Sequence, residues 1–208
     1  MKYNNSDTFI TPPAGFEELV RRVEALRCRE GRAFVAIDGR CGSGKSTLAA
    51  LLAARFDCTL VHADDFFLRP EQRTPARLAQ PGGNFDRERF YAEVLAPLLA
   101  GRDALYRPYD CHAGALQPPV AAPLRPVVLA EGSYSCHPDL WDCYGLHVFV
   151  TAPLEVRLER LSRRPGADLE AFRTRWIPLE EAYFAASQLE TRCEVILHNE
   201  ASCKLKTL

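Results

Sequence analysis

The run Gly39-Arg40-Cys41-Gly42-Ser43-Gly44-Lys45-Ser46 follows directly on an apolar stretch, Ala33-Phe34-Val35-Ala36-Ile37-Asp38. It fits G-x-x-x-x-G-K-[ST], a phosphate-binding loop, in the context that loop requires: a strand before it and a helix after it. Glycines let the backbone turn tightly enough to aim successive N–H groups at one anion. A helix starting near Gly44 adds the positive end of its dipole. Lys45 is placed to reach β- and γ-phosphates, and Ser46 to hold Mg2+. With Thr47 in the first helical turn, the candidate nucleotide-binding set is Gly39, Gly42, Ser43, Gly44, Lys45, Ser46 and Thr47. The lysine stands out against the composition. The others are Lys2, Lys204 and Lys206, so 22 of the 26 basic residues are arginines. A Gly-rich turn ahead of an ordinary helix is the plainer reading, and it leaves Lys45 unexplained. Cys41 lies inside this loop beside Arg40 and a helix N-terminus, a setting that favours the thiolate; the alternative is an inert small residue.

Carboxylates follow at two later strand ends. Asp64-Asp65-Phe66-Phe67 comes after the apolar Cys58-Thr59-Leu60-Val61, and Glu131-Gly132 ends Val127-Val128-Leu129-Ala130. In an open α/β sheet, ligands bind beyond the carboxyl ends of the strands, so both acids are expected to face the loop's phosphates. Asp64 there can deprotonate an attacking hydroxyl or hold the metal. Glu131, after a wholly apolar strand, has the place of a metal contact. Farther on, Arg157, Arg160 and Arg164 form one helical stripe beside a core stripe of Leu154, Leu158 and Leu161. The arginines lead into Arg163, Pro165 and Gly166, a pattern suited to a lid over transferring phosphate; a solvated Arg face with Glu155 and Glu159 as partners is the plainer reading.

These residues need a scaffold, and the hydrophobic pattern describes one. Phe16, Leu19, Val20, Val23 and Leu26 recur at helical spacing, as do Phe90, Val94, Leu95, Leu98 and Leu99. Further strands are expected at Leu146-His147-Val148-Phe149-Val150 and Glu194-Val195-Ile196-Leu197, with helices from 154 and over about 170–189. Residues 68–85 and 106–126 are rich in Pro and read as loops. Short buried strands alternating with helices predict an α/β fold: a three-layer α/β/α arrangement around a five-stranded, mainly parallel sheet, with a short Arg-bearing lid at about 160–170. The expected organisation is an N-terminal arm over 1–14 and one domain over 15–208. Net charge is −1, which gives no bulk attraction to nucleic acid or to an anionic membrane. No signal-peptide pattern and no membrane-length apolar run is present, so the cytoplasm is the expected compartment. The eight cysteines show no C-x-x-C and are expected as free, buried thiols.

The ordered series of motifs resembles the uridine kinase / phosphoribulokinase family of P-loop kinases. The P-loop precedes Asp64-Asp65-Phe66-Phe67, where the family has D-x-F-[YF] and nicotinamide riboside kinases a similar D-D-F-F. Asn84-Phe85-Asp86 matches N-[FW]-D, and Pro108-Tyr109-Asp110 the Y-D segment. Val128-Leu129-Ala130-Glu131-Gly132, Arg157-Leu158-Glu159-Arg160 and Asp168-Leu169-Glu170 then follow in the family's order. The resemblance implies a P-loop NTPase fold, ATP and Mg2+ as cofactors, and a small-molecule acceptor, with a ribonucleoside 5′-hydroxyl as the leading case. It implies Asp64 as base, with Asp86 on ribose hydroxyls and Phe67, Tyr109 and His112 around the nucleoside. It also implies Lys45, Arg160 and Arg164 on transferring phosphate, with Arg160 touching substrate, and Ser46 and Glu131 at Mg2+. Three features depart from uridine kinases: His112 stands two residues after Asp110 instead of four, the lid is shorter, and Arg175 replaces an amide. Nicotinamide riboside, pantothenate or another sugar-like alcohol is the alternative acceptor. A P-loop regulatory module is the alternative from another class. Nucleic acid and membrane are not expected partners, and self-association is left open.

Overall fold

The computed structural model describes residues 12–200. The arm expected over 1–14 therefore lies, except for its last three residues, outside the described residues. Helix α1 (Phe16–Glu30) buries Phe16, Leu19, Val23 and Leu26, the stripe expected from their spacing. Strand β1 (Ala33–Gly39) runs into the loop and then into α2 (Lys45–Ala53), followed by β2 (Cys58–His62). A short helix α3 (Pro75–Leu78) sits inside the first Pro-rich segment. Helix α4 covers 87–99 and widens to a π turn over Tyr91–Leu95. The cause is Pro97. Its ring cannot sit against an ordinary i−4 carbonyl, and the Ala96 N–H bonds instead to Tyr91 O.

The second Pro-rich segment, read as loop, is partly strand. β3 (Ala104–Tyr106) pairs antiparallel with β6 (Val120–Ala122), enclosing β4 (Tyr109–Asp110) paired with β5 (Ala115–Leu116). The prolines at 108, 118, 119 and 123 flank these strands without interrupting them. Then come β7 (Val127–Glu131), β8 (Leu146–Thr151), α5 (Leu154–Ser162), α6 (169–187), α7 (Leu189–Arg192) and β9 (Val195–His198). Helix α6 repeats the device of α4, with a π turn at Phe172–Trp176 just ahead of Pro178.

The main sheet has the order β2-β7-β1-β8-β9, and every pairing in it is parallel. Alternation along β1 feeds two cores. Val35 and Ile37 pack with Leu48, Leu52 and Val148 under α1 and α2, while Ala36 faces Phe66, Phe90, Phe149 and Tyr183 on the other side. That is the three-layer fold the sequence predicts. The order also brings the carboxyl ends of β1, β2 and β7 together: Ile37 and His62 both stand opposite Glu131 in register. One detail departs from the sequence reading. Leu154, expected in the core, is 48% exposed, and α5 instead buries Arg157 and Leu161. The helix is rotated because the Arg157 guanidinium is held inside by Ala152 O at 3.1 Å and by Glu181 at 3.8 Å. Among the described residues no helix is long and apolar enough to cross a membrane, and all seven described cysteines are free. They are not all buried as expected: Cys28 and Cys111 are exposed, one on the outer face of α1 and the other on the β4–β5 turn.

Candidate active site

The loop between β1 and α2 is shaped by close approaches. A Cβ on Gly39 would lie 2.0 Å from Val150 O, so only glycine lets the loop leave the sheet beside β8. Asp38, the last side chain before it, is fully buried. It accepts bonds from Gly39 N–H (2.7 Å), Tyr134 N–H (3.2 Å), Cys136 N–H (3.0 Å) and Tyr183 O–H (2.8 Å). It thereby ties the loop, the turn after β7 and α6 into one unit. Burial outweighs those bonds and pushes its carboxyl up to about 6.

The loop is also held from outside. The buried Glu180 carboxylate, on α6, accepts from Cys41 N–H at 2.9 Å and from Ser133 Oγ at 2.6 Å. Arg160 donates to the carbonyls of Gly42 (3.2 Å) and Ser43 (3.1 Å) and reaches Asn199. The loop carbonyls are thus turned towards α5, which leaves the N–H side for an anion. Lys45 donates to Gly39 O at 2.7 Å and Arg40 O at 3.2 Å, which parks its ammonium over the loop. Arg40 turns away to Glu181 and Glu190. The Cys41 setting differs from the thiolate-favouring one that its position in the chain suggested. Burial, then the negative charge of Glu180, pushes this thiol up to about 12.

Across the loop, Ser46 Oγ lies 3.2 Å from Glu131 Oε2. The other oxygen of Glu131, at 2.5 Å, pairs with His62 Nδ1, and this contact raises the imidazole above its ordinary value. A hydroxyl and a carboxylate side by side would suit Mg2+, an oxygen-preferring cation that needs few protein ligands. Asp64 is exposed to the cleft. Desolvation by the protein crowded around it raises its carboxyl, Lys45 opposes the rise, and Glu131 and Glu180 add to it. Gly132 makes this approach feasible: with φ of 136°, a Cβ there would meet Ala63 Cβ at 2.9 Å and Asp64 Oδ1 at 3.3 Å.

These groups line one cleft of about 230 Å³. It runs from Gly42, Gly44, Lys45, Ser46 and Thr47 past Asp64 and Glu131 to an aromatic end built by Phe67, Tyr134, Phe172 and Trp176. Arg164 lines it and its charge reaches Asp64. The other expected residues lie elsewhere. Arg160 is engaged with the loop carbonyls. Asp86 caps α4 through Arg89 N–H at 3.2 Å and accepts from Gln72 Nε2 at 2.8 Å; it faces a separate recess with Leu68 and Arg77. Tyr109 is buried beneath the β4–β5 hairpin and His112 is exposed on its turn. Sequence reasoning passed over Asp38, His62, Ser133, Glu180 and Trp176. An acid closing an apolar strand was a visible signal for Asp38. The others carry no local signal.

Neither the family models nor the curated proteins compared with the chain give a match. Solved structures do. One, from Bacillus stearothermophilus and described as a possible uridine kinase, aligns over 86% of this chain and 98% of its own, with a TM-score of 0.60 and 18% identity. A second, described as a candidate fructose transport system kinase from Silicibacter, aligns over 87% and 98%, with a TM-score of 0.62 and 22% identity. A third, YFH7 from Saccharomyces cerevisiae, described as a candidate P-loop-containing kinase with a circular permutation, aligns over 89% and 99%, with a TM-score of 0.63 and 14% identity. At these identities the likeness concerns the fold: the chain has the α/β fold of uridine kinase-like P-loop kinases.

Proposed function

We propose, from that fold and the cleft it carries, that the protein is an ATP-dependent kinase of a small alcohol, and that the alcohol is the 5′-hydroxyl of a ribonucleoside. The observation that carries this reading is the placement of a carboxylate with raised proton affinity, Asp64, in one cleft with the P-loop and Lys45. ATP with Mg2+ supplies the transferable γ-phosphoryl group. The chain's own part is to position and to neutralise. The N–H groups of residues 42–46 and the α2 N-terminus face the phosphates. Lys45 leaves Gly39 O to meet the charge that develops on the transferring group, and Arg164 adds a second cation. Ser46 and Glu131 hold the metal. Asp64 orients the acceptor hydroxyl and takes its proton, a role suited to a carboxyl raised by the desolvation around it. Phe67, Tyr134, Phe172 and Trp176 offer flat apolar surfaces to a planar base.

The test is ATP consumption under saturating MgATP with uridine, cytidine, 2′-deoxycytidine, nicotinamide riboside and pantothenate, each against the rate without acceptor. Uridine or cytidine should accelerate turnover well above basal. Asp64→Asn should then cut kcat by about 10²–10⁴-fold while nucleotide affinity is kept. Because the carboxyl is raised, kcat should climb with pH through a midpoint above the ordinary 3.8. Silence with every alcohol, and Asp64→Asn hydrolysing at the basal rate, would instead favour a regulatory nucleotide-binding module.

A further inference from the structure

The residue expected to bind ribose has no free oxygen directed at the cleft. Asp86 Oδ1 takes Arg89 N–H, and Oδ2 takes Gln72 Nε2 with the Arg89 guanidinium at 3.4 Å. Two residues earlier the situation is reversed. Asn84 is 8% exposed, and its carboxamide makes no hydrogen bond to any described residue. What remains accessible of it faces ligand space: Asn84 lines the cleft that holds Asp64, and also the adjoining recess between α3 and α6, beside Leu78 and Pro178. An amide that no protein group engages, on a residue open only at the cleft and its recess, is available to pair with what enters there.

The backbone around Asn84 is fixed. Its carbonyl accepts from Leu68 N–H at 3.0 Å, and Asp86 N–H donates to Phe66 O at 2.8 Å. Arg77 holds the flanking carbonyls of Gly83 (3.0 Å) and Phe85 (2.8 Å). A Cβ on Gly83 would lie 1.9 Å from Arg77 O, so the strap is drawn against α3 as closely as glycine permits. Phe85 is wholly buried, 5.4 Å from Phe90 and 6.4 Å from Tyr134 between ring centres. A side chain on such a strap is pre-positioned, and its amide is spent on no protein partner.

We propose that Asn84, and not Asp86, is the side chain that reads the acceptor's sugar, its NH2 donating to one ring hydroxyl and its C=O accepting from the neighbouring one. This rests on the ribonucleoside reading above. It changes the chemistry of recognition: a neutral amide satisfies one hydroxyl as acceptor and the other as donor, and places no further negative charge beside Asp64, Glu131 and Glu180. Removal of either hydroxyl leaves half of the amide unpaired in a buried site, so the ribo form is favoured over the deoxy form.

The experiment uses the full chain with saturating MgATP and uridine, cytidine and 2′-deoxycytidine as acceptors. Asn84→Ala should raise KM for uridine and cytidine about 10–100-fold, with kcat within about threefold and the KM for ATP unchanged. Its cytidine-to-deoxycytidine preference should fall towards unity. Asn84→Ser, which keeps one hydrogen-bonding group, should recover part of both, and guards against loss through misfolding of the alanine variant. Asn84→Asp should weaken the acceptor as much as alanine does and move the midpoint of the pH–rate profile upward by like-charge repulsion at Asp64. Uridine turned over by Asn84→Ala with wild-type KM and ribo preference overturns the inference alone. So does the converse, loss of that preference in Asp86→Asn with its retention in Asn84→Ala. A wild-type protein that phosphorylates none of the three overturns the nucleoside reading, and this inference with it.

Discussion

Asp38→Asn should make the protein's stability depend on pH in a way the wild type conceals. Asp38 is fully buried and sits at about 6 against an ordinary 3.8, with burial as the largest cause. The folded state therefore binds this proton more tightly than the unfolded chain. Its contribution is fully present below 3.8 and is lost as pH rises through about 6. At 1.36 kcal/mol per unit, the loss is about 3 kcal/mol. His137 works in the opposite sense. Burial, and then the charge of Arg87, hold it down at about 4 against 6.5, so its stabilising effect is present above 6.5 and is lost as pH falls through about 4. That too is worth about 3 kcal/mol. The two windows overlap, so in the wild type the slopes largely cancel between pH 4 and 6.5. Asparagine preserves the shape of Asp38 and removes its titration; its NH2 opposes Cys136 N–H, a cost that does not vary with pH. Urea unfolding at pH 4, 5, 6 and 7 reads the difference between variant and wild type, in which every shared group drops out. Whatever constant offset the lost hydrogen bond sets at pH 4, the variant should gain about 2–3 kcal/mol on the wild type between pH 4 and pH 7. A flat difference, or a variant that loses ground as pH rises, would show that the four hydrogen bonds to the carboxylate outweigh its burial, and would refute the reasoning.

Lys45→Ala should reduce phosphoryl transfer by about 10²-fold or more while nucleotide binding, followed with a fluorescent ATP analogue, weakens less; wild-type turnover would remove Lys45 from the chemistry. Gly132→Ala forces a Cβ within 2.9 Å of Ala63 at a φ of 136°. It should destabilise by about 1–3 kcal/mol and lower kcat through the displaced Asp64, a pairing to be checked by thermal unfolding and single-turnover kinetics on the same preparation. Cys41 should resist modification: with its thiol pushed up to about 12, reaction with a disulfide reagent at pH 8 should be far slower than at the exposed Cys28, and Cys41→Ala should lose activity to peroxide at the wild-type rate.

What could be read from the chain was what short stretches settle alone. The P-loop is contiguous: its glycines, lysine and serine act through their own backbone and the helix that follows, so type and spacing suffice. The strands and helices are equally local, because burial on one face writes a period of two or 3.6 into neighbouring residues. Two places show where locality ends. Leu154 and Arg157 offer α5 two stripes, and only Ala152 O and Glu181, supplied by the fold, decide that Arg157 turns inward. Asn84 and Asp86 are both polar members of one short motif, two residues apart. Gln72 and Arg89 occupy one and leave the other open, through a strap whose path is set by Arg77. Glu180 reaches the P-loop from 139 positions away. Residues so far apart meet because parallel crossovers bring the carboxyl ends of β1, β2 and β7 together under α6. A crossover leaves no periodic trace in the sequence: it is selected by the packing of whole layers, after the local elements exist.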